Sequence, residues 1–152
     1  MTVAPVFFCE PSPEHPGWNR WRLGDESRYN EAVLGPFLVR VEDEKARVRI
    51  FPRHEHTNNG GNVHGAVTLG LIDIALFAAV RVLRDIDALG SVTVGLETQF
   101  IGSGNPAKPL DAVVEVLRET RRLVFLRGLV EQDGDLVAAF SATTRKPVSA
   151  HA

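Results

Sequence analysis

One long apolar stretch, Val63 to Arg84, constrains the fold of this chain more than any other feature of the sequence. It contains no proline, and its apolar residues lie nearly all round a helical wheel: Val67, Leu69, Leu71, Ile72, Ile74, Leu76, Phe77, Val80, Val82 and Leu83. A helix that is apolar on every side is normally buried on every side. The rest of the chain must therefore supply enough structure to surround one buried helix.

The segments on both sides of this helix have the signatures of β-strands. Ahead of it, residues 37–41 and 46–50 flank a charged turn, Glu42-Asp43-Glu44-Lys45, which predicts a hairpin. Behind it, apolar and polar residues alternate near 91–101, 110–118, 122–131 and 135–144. Turn residues separate the last three runs, as in an antiparallel meander. We therefore predict an α+β domain in which a curved antiparallel sheet of about six strands wraps round the helix.

The N-terminal part of the chain has a different character. Residues 1–24 are rich in proline and aromatic residues and show no clear period, which predicts an irregular arm. Residues 25–152 are then expected to form a single domain. Within it, a short helix is predicted over 25–34, with Asp25 or Ser27 as its N-cap and Gly35-Pro36 as its stop.

Composition limits the classes of protein to consider. The chain has 152 residues, of which 44% are hydrophobic, and this suits one globular domain with a real core. Its 17 basic and 19 acidic residues lack the positive field of a nucleic-acid or anionic-membrane binder. The single cysteine, Cys9, cannot form an internal disulfide, so we expect a cytoplasmic protein. The sequence has neither the basic start of a signal peptide nor an uncharged apolar span of about 18 residues, so no membrane association is expected.

Asp73 is the only carboxylate in the middle of the apolar helix. A carboxylate in such a place must be paired, hydrogen-bonded or functional, because burying an isolated charge is costly. Composition alone leaves two interpretations open. Asp73 has a catalytic or binding role, or it binds a buried polar group and is purely structural.

A polar, glycine-rich loop runs from Asn58 through Gly61 and His64 into the start of the helix at Gly65 and Ala66. Helix N-termini offer free amide donors and the positive end of the helix dipole, which suits a developing oxyanion or a phosphate. Glycines at such junctions also serve purely steric purposes. His64 and Asp73 are nine residues apart, about 13 Å along a helix and on roughly opposite sides. A site that uses both would therefore need a second copy of the chain.

The spacing Asn58-x-x-Gly61-x-x-His64-Gly65, followed by Asp73 and by Ser91 ahead of an alternating strand, resembles the PaaI-type hotdog thioesterases of phenylacetate degradation. The resemblance covers roughly residues 37–145. It implies a hotdog fold, hydrolysis of an acyl-coenzyme A thioester and a homodimer or homotetramer. It implies no cofactor apart from the coenzyme A of the substrate itself.

The resemblance also implies a role for each matching residue. The backbone amide of Gly65 would polarise the thioester carbonyl, and Asp73 from the partner subunit would act as nucleophile or general base. Asn58 would orient the water or the carboxylate, His64 would fix the loop and support the carbonyl contact, and Ser91 would help to position the water. The family commonly has a second glycine where this chain has Ala66. Alanine keeps its N–H, so this departure changes the pocket shape more than the amide donor.

Other residues have weaker signals. Gly61 belongs to the predicted substrate loop, and Arg121 and Arg122 are candidates for binding the coenzyme A phosphates, although exposed cations at strand ends usually form only a solvated surface. His54 and His56 resemble a metal-binding pair, but no third ligand follows at a convincing spacing, and no metal site is predicted.

Two other functions stay open at this stage. A hotdog dehydratase or hydratase would act on an acyl thioester, but it would pair a histidine with an acidic residue in a pattern not found here. A non-catalytic acyl-CoA binding protein would keep the fold and the helix end. Such a protein has no need for a desolvated carboxylate at Asp73, and this favours the enzyme.

Overall fold

The computed structural model describes residues 7–148, which form one sheet around one long helix. In chain order the elements are β1 (Phe7–Pro11), β2 (Asn19–Leu23), a π-helical turn (Asn30–Leu34), β3 (Phe37–Glu42), β4 (Lys45–Ile50), a 3-10 turn (His54–His56), α1 (Gly65–Arg84), β5 (Val92–Phe100), β6 (Leu110–Glu119), β7 (Leu123–Gln132) and β8 (Asp135–Arg145).

The sheet has eight strands in the order β1-β2-β3-β4-β6-β7-β8-β5, and neighbouring strands are antiparallel. Two-residue turns close two of its hairpins. Asp43 and Glu44 join β3 to β4 with φ of 47° and 63°, and Asp133 and Gly134 join β7 to β8 with φ of 49° and 86°. Positive φ at both turn positions matches the twist of the flanking strands. The hairpin at residues 37–50 and the meander of the last three strands are therefore as the sequence predicts.

The sheet has eight strands rather than about six, because the N-terminal arm is not irregular where the structure describes it. Residues 7–23 form the hairpin β1–β2, which adds to the sheet beside β3. In β2, Trp21 and Leu23 point to the core and alternate with arginines, and the Trp21 ring stacks on Phe7 with centroids 5.2 Å apart. Residues 1–6 of the predicted arm lie outside the described residues.

The helix predicted over 25–34 is also shorter than expected. Only Asn30–Leu34 is helical, as one π-type turn. The Asp25 carboxylate accepts hydrogen bonds from the Ser27 N–H at 3.1 Å and the Ser27 hydroxyl at 2.6 Å. Such local side-chain bonds offer the backbone an alternative to a helix, and here they hold residues 25–27 in a turn.

Helix α1 lies against the inner face of the sheet, with the core of the domain between them. Its length and mean hydropathy of 2.1 would suit a membrane span, but the core helix of a folded domain shares both properties. The prediction that α1 is buried on every side is wrong for a single chain. One face stays open, and we call it the open stripe: Ala66, Leu69, Asp73 and Phe77. These residues are three or four apart, so they share one side of the helix.

The outer face of the sheet carries a charged cluster centred on Asp111, whose side chain is buried. Arg49 bonds both of its carboxylate oxygens, at 2.7 and 2.8 Å, and Arg47 bonds one of them at 3.0 Å. The cluster lies on the opposite side of the sheet from α1, because Asp111 alternates with the core residues Leu110 and Ala112.

Candidate active site

The N-terminus of α1 leaves one amide donor free. His64 is the N-cap, with φ of −66° and ψ of 139°, and its Nδ1 accepts the Ala66 N–H at 2.9 Å. The His64 carbonyl accepts the N–H groups of Val67 and Thr68. Among residues 7–148, the Gly65 N–H donates no hydrogen bond. This amide is therefore available to a ligand or to solvent at the positive end of the helix dipole.

Glycine at position 65 also permits a close approach from β5. A Cβ built on Gly65 would lie 3.3 Å from Cε1 of Phe100, whose ring is largely exposed. The ring therefore forms one wall beside the free amide. A larger side chain at 65 would have to displace it.

The glycine-rich loop is shaped by Asn58. Its side-chain Oδ1 accepts the N–H groups of Gly60 at 2.9 Å and Asn62 at 3.2 Å, and its carbonyl accepts the Gly61 N–H at 3.0 Å. Gly61 has φ of 77°, a conformation that favours glycine. Asn58 and Gly61 thus build the turn that leads to His64 and Gly65. The predicted contacts of Asn58 and Gly61 with water, carboxylate or substrate stay predictions.

Asp73 lies on the open stripe, half-buried in the single chain. Its Oδ1 accepts the hydroxyl of Thr93 on β5 at 2.6 Å, and this bond fixes the carboxylate in orientation. Thr93 was not among the site residues predicted from the sequence. The available signal was a hydroxyl two residues beyond Ser91, inside the alternating strand β5.

The other predicted residues lie elsewhere. The Ser91 hydroxyl donates to the Asp87 carbonyl at 2.7 Å, so it closes the turn before β5 instead of reaching Asp73. Arg121 and Arg122 are exposed in the turn between β6 and β7. The structure therefore gathers the predicted residues into two groups, one at the Gly65 amide and one at Asp73.

The two groups are too far apart to act on one carbonyl within a single chain. Gly65 and Asp73 are eight residues apart on one continuous helix, which is about 12 Å along its axis. A thioester carbonyl that accepts the Gly65 N–H would therefore lie beyond the reach of the Asp73 carboxylate of the same chain. Both groups can serve one substrate only if they come from two chains.

Comparison with known proteins identifies the family. Residues 53–145 match the family model for the acyl-CoA thioesterase N-terminal domain. The Pseudomonas aeruginosa protein PA0474, provisionally named an esterase, is 29% identical over 116 residues, which is 76% of this chain and 86% of that protein. The structure of the conserved protein PA5202 from the same organism is 28% identical, with a TM-score of 0.66 over 78% of this chain and 92% of that one.

A point mutant of the phenylacetic acid degradation protein PaaI from Thermus thermophilus shares the fold. It is 23% identical, with a TM-score of 0.63 over 78% of this chain and 97% of that one. These matches confirm the family and the hotdog fold predicted from the spacing of Asn58, Gly61, His64, Gly65 and Asp73. The chain therefore belongs to the acyl-CoA thioesterase N-terminal domain family and has the hotdog fold of the PaaI-type thioesterases.

Proposed function

We propose that the protein hydrolyses an acyl-coenzyme A thioester to the free acid and coenzyme A, at a site shared by two subunits. The observation that carries this proposal is the free Gly65 N–H at the start of α1. The thioester carbonyl oxygen would accept this N–H. Its bond to the amide would strengthen as negative charge develops on the oxygen in the transition state, which is the condition for catalysis.

Asp73 of the second subunit would supply the other half of the reaction. As a general base it would take a proton from water while the water oxygen bonds to the carbonyl carbon. The tetrahedral intermediate would then expel the coenzyme A thiolate, which takes up a proton. As a nucleophile it would instead displace the thiolate and form a mixed anhydride, which water would hydrolyse. The Thr93 hydroxyl on Oδ1 would hold the carboxylate in place in either route.

The exposed edge of the sheet at β5 supports the proposal that a second copy of the chain binds there. Strand β5 forms one edge of the sheet, and it presents large apolar residues to solvent: Val92, Val94 and Phe100, followed directly by the exposed Ile101. Val94 is 60% exposed. Unpaired edges with apolar side chains invite pairing with another chain. Thr93 and Phe100 lie on the same strand, so a partner docked there would meet both the Asp73 group and the Gly65 amide.

A thiol-release assay tests the proposed activity. Wild-type protein would be assayed against short, medium, long and aromatic acyl-CoAs, with thiol detected continuously. We expect turnover of at least one class of acyl chain. Folded protein that binds acyl-CoA but releases no thiol from any of them would instead show a binding protein.

Mixing two inactive variants tests whether the site is shared. Asp73→Asn chains keep the Gly65 N–H, and Gly65→Pro chains lack that N–H but keep Asp73. If each site takes one group from each subunit, random pairing of equal amounts makes half of the dimers mixed, each with one intact site. We therefore expect about a quarter of wild-type activity to return. Each variant assayed alone is the control. Absence of rescue after native mass spectrometry has verified exchange of subunits would contradict a shared site.

A further inference from the structure

His56 is a buried histidine that the proposed mechanism does not use. Its side chain is 1% exposed, and both ring nitrogens bond to backbone groups. Nδ1 accepts the Arg53 N–H at 3.0 Å, and Nε2 lies 2.6 Å from the Val33 carbonyl oxygen. A neutral ring protonated at Nε2 satisfies both bonds. His54, by contrast, is exposed.

The backbone of His56 fixes the loop that delivers the amide donor. Its carbonyl accepts the His64 N–H at 2.8 Å, and the adjacent residues Thr57 and Val63 form an isolated antiparallel bridge. The two ends of the loop are thereby clamped together. Because Gly65 directly follows His64, the direction of the Gly65 N–H depends on this clamp.

The ring of His56 connects the clamp to the N-terminal part of the chain. The Val33 carbonyl that meets Nε2 also accepts the Arg53 guanidinium at 2.8 Å. Its neighbour Leu34 is fully buried against α1, where a Cβ added to Gly70 would lie only 2.7 Å from Leu34 Cδ1. Leu34 therefore anchors the turn Asn30–Leu34 on α1. This turn lies outside residues 53–145, the part of the chain that matches the family model.

We propose that His56 is a positioning residue, whose ring ties the loop 57–64 to the turn Asn30–Leu34 and so aims the Gly65 N–H at the thioester carbonyl. This inference rests on the proposed function. Loss of the ring would remove the acceptor of the Arg53 N–H and one of the two donors to the Val33 carbonyl, and the loop would relax. A misplaced oxyanion donor weakens transition-state binding more than binding of the substrate, so kcat would fall while KM stays nearly constant.

Three substitutions of His56 distinguish the effect of its two hydrogen bonds from the effect of its side-chain volume. His56→Phe keeps a ring of similar size but neither bond. We expect its kcat to fall on the order of 10- to 100-fold, since small displacements of catalytic groups have effects of this size. His56→Gln restores a donor toward Val33, and His56→Asn an acceptor toward Arg53. We expect either of these variants to recover part of kcat, and they remain informative if His56→Phe does not fold.

Hydrogen exchange of the His64 amide reports on the clamp without reference to turnover. We expect faster exchange in His56→Phe than in wild type. Asp111→Asn is the matched control, since Asp111 is also buried, at 5% exposure, but lies on the outer face of the sheet. It should lower the free energy of unfolding and leave kcat and the His64 exchange rate unchanged.

The outcomes distinguish this inference from the proposed function. A wild-type protein without thiol release would overturn the proposed function. Unchanged exchange of the His64 amide in His56→Phe would overturn the role of His56, whether or not the protein is active. If the wild-type protein is active, a kcat of His56→Phe within threefold of wild type would also overturn the role of His56. An equal loss of kcat in His56→Phe and Asp111→Asn would overturn it as well.

Discussion

Replacement of Asp73 by asparagine is expected to lower the turnover number for thiol release on the order of 10²- to 10⁴-fold. Asparagine has nearly the same volume as aspartate, but its amide can neither take a proton from water nor attack a carbonyl carbon. Its side-chain oxygen can still accept the Thr93 hydroxyl that now bonds Asp73 at 2.6 Å. The fold and the oligomer should therefore be preserved while the chemistry is lost.

The matched control is Asp85→Asn. Asp85 is exposed at the C-terminus of α1 with φ of 53°, a conformation that asparagine adopts readily. It undergoes the same change from carboxylate to amide on the same helix, and we expect wild-type turnover. Circular dichroism and size-exclusion chromatography would verify folding and assembly of both variants. Near-normal turnover of Asp73→Asn would show that the carboxylate is structural.

The parts of the fold that the sequence predicts well are those in which the pattern is local. The turn Asp43-Glu44 and the alternation over residues 110–145 specify their pairings through adjacent residues. The helix Gly65–Arg84 follows from a long stretch without proline. Each of these elements carries its own signal, because the period of its apolar residues or the residues of its turn lie within the element itself.

The hairpin β1–β2 has no such signal. Each of its strands has only five residues, and β1 ends at Pro11. What stabilises β2 is the burial of Trp21 against a core built mainly from later parts of the chain, and its pairing with β3. A short alternating run becomes a strand only when such a surface is available, and single-sequence patterns do not contain that information.

The candidate site likewise has a part that the sequence predicts and a part that it does not. The residues from Asn58 to Gly65 are contiguous, so their spacing alone indicates the loop and the helix start. Thr93 meets Asp73 across 20 positions of sequence, and Ser91, two residues earlier, turns away to Asp87. Thr93 lies inside β5, whereas Ser91 belongs to the turn before it, and the sequence does not define the boundary between turn and strand.

A second chain would explain the open stripe on α1. The sequence pattern of α1 predicts burial on all sides, whereas a single chain leaves Leu69 37% exposed. The two observations agree if a partner chain covers this face. An apolar helix face that carries a half-buried carboxylate next to an unpaired sheet edge is what a shared, water-excluding site requires.

Gly65→Pro is expected to lower kcat on the order of 10²- to 10³-fold, which is the usual effect of removing one oxyanion donor. Proline has no N–H, and position 65 is the first residue of the helix, where proline is favoured and loses no helical hydrogen bond. His64 has the extended backbone that a residue before proline prefers, with ψ of 139°. The substitution therefore removes the proposed donor with little cost to the fold.

Gly65→Ala is the matched control, because it introduces the same Cβ against the Phe100 ring and keeps the N–H. The ring is exposed and can give way, so we expect turnover of the alanine variant within a few-fold of wild type. Equal losses in the two variants would assign the effect to the Phe100 contact and not to the amide. Full activity of Gly65→Pro would exclude this amide as the oxyanion donor, because proline has no N–H to donate.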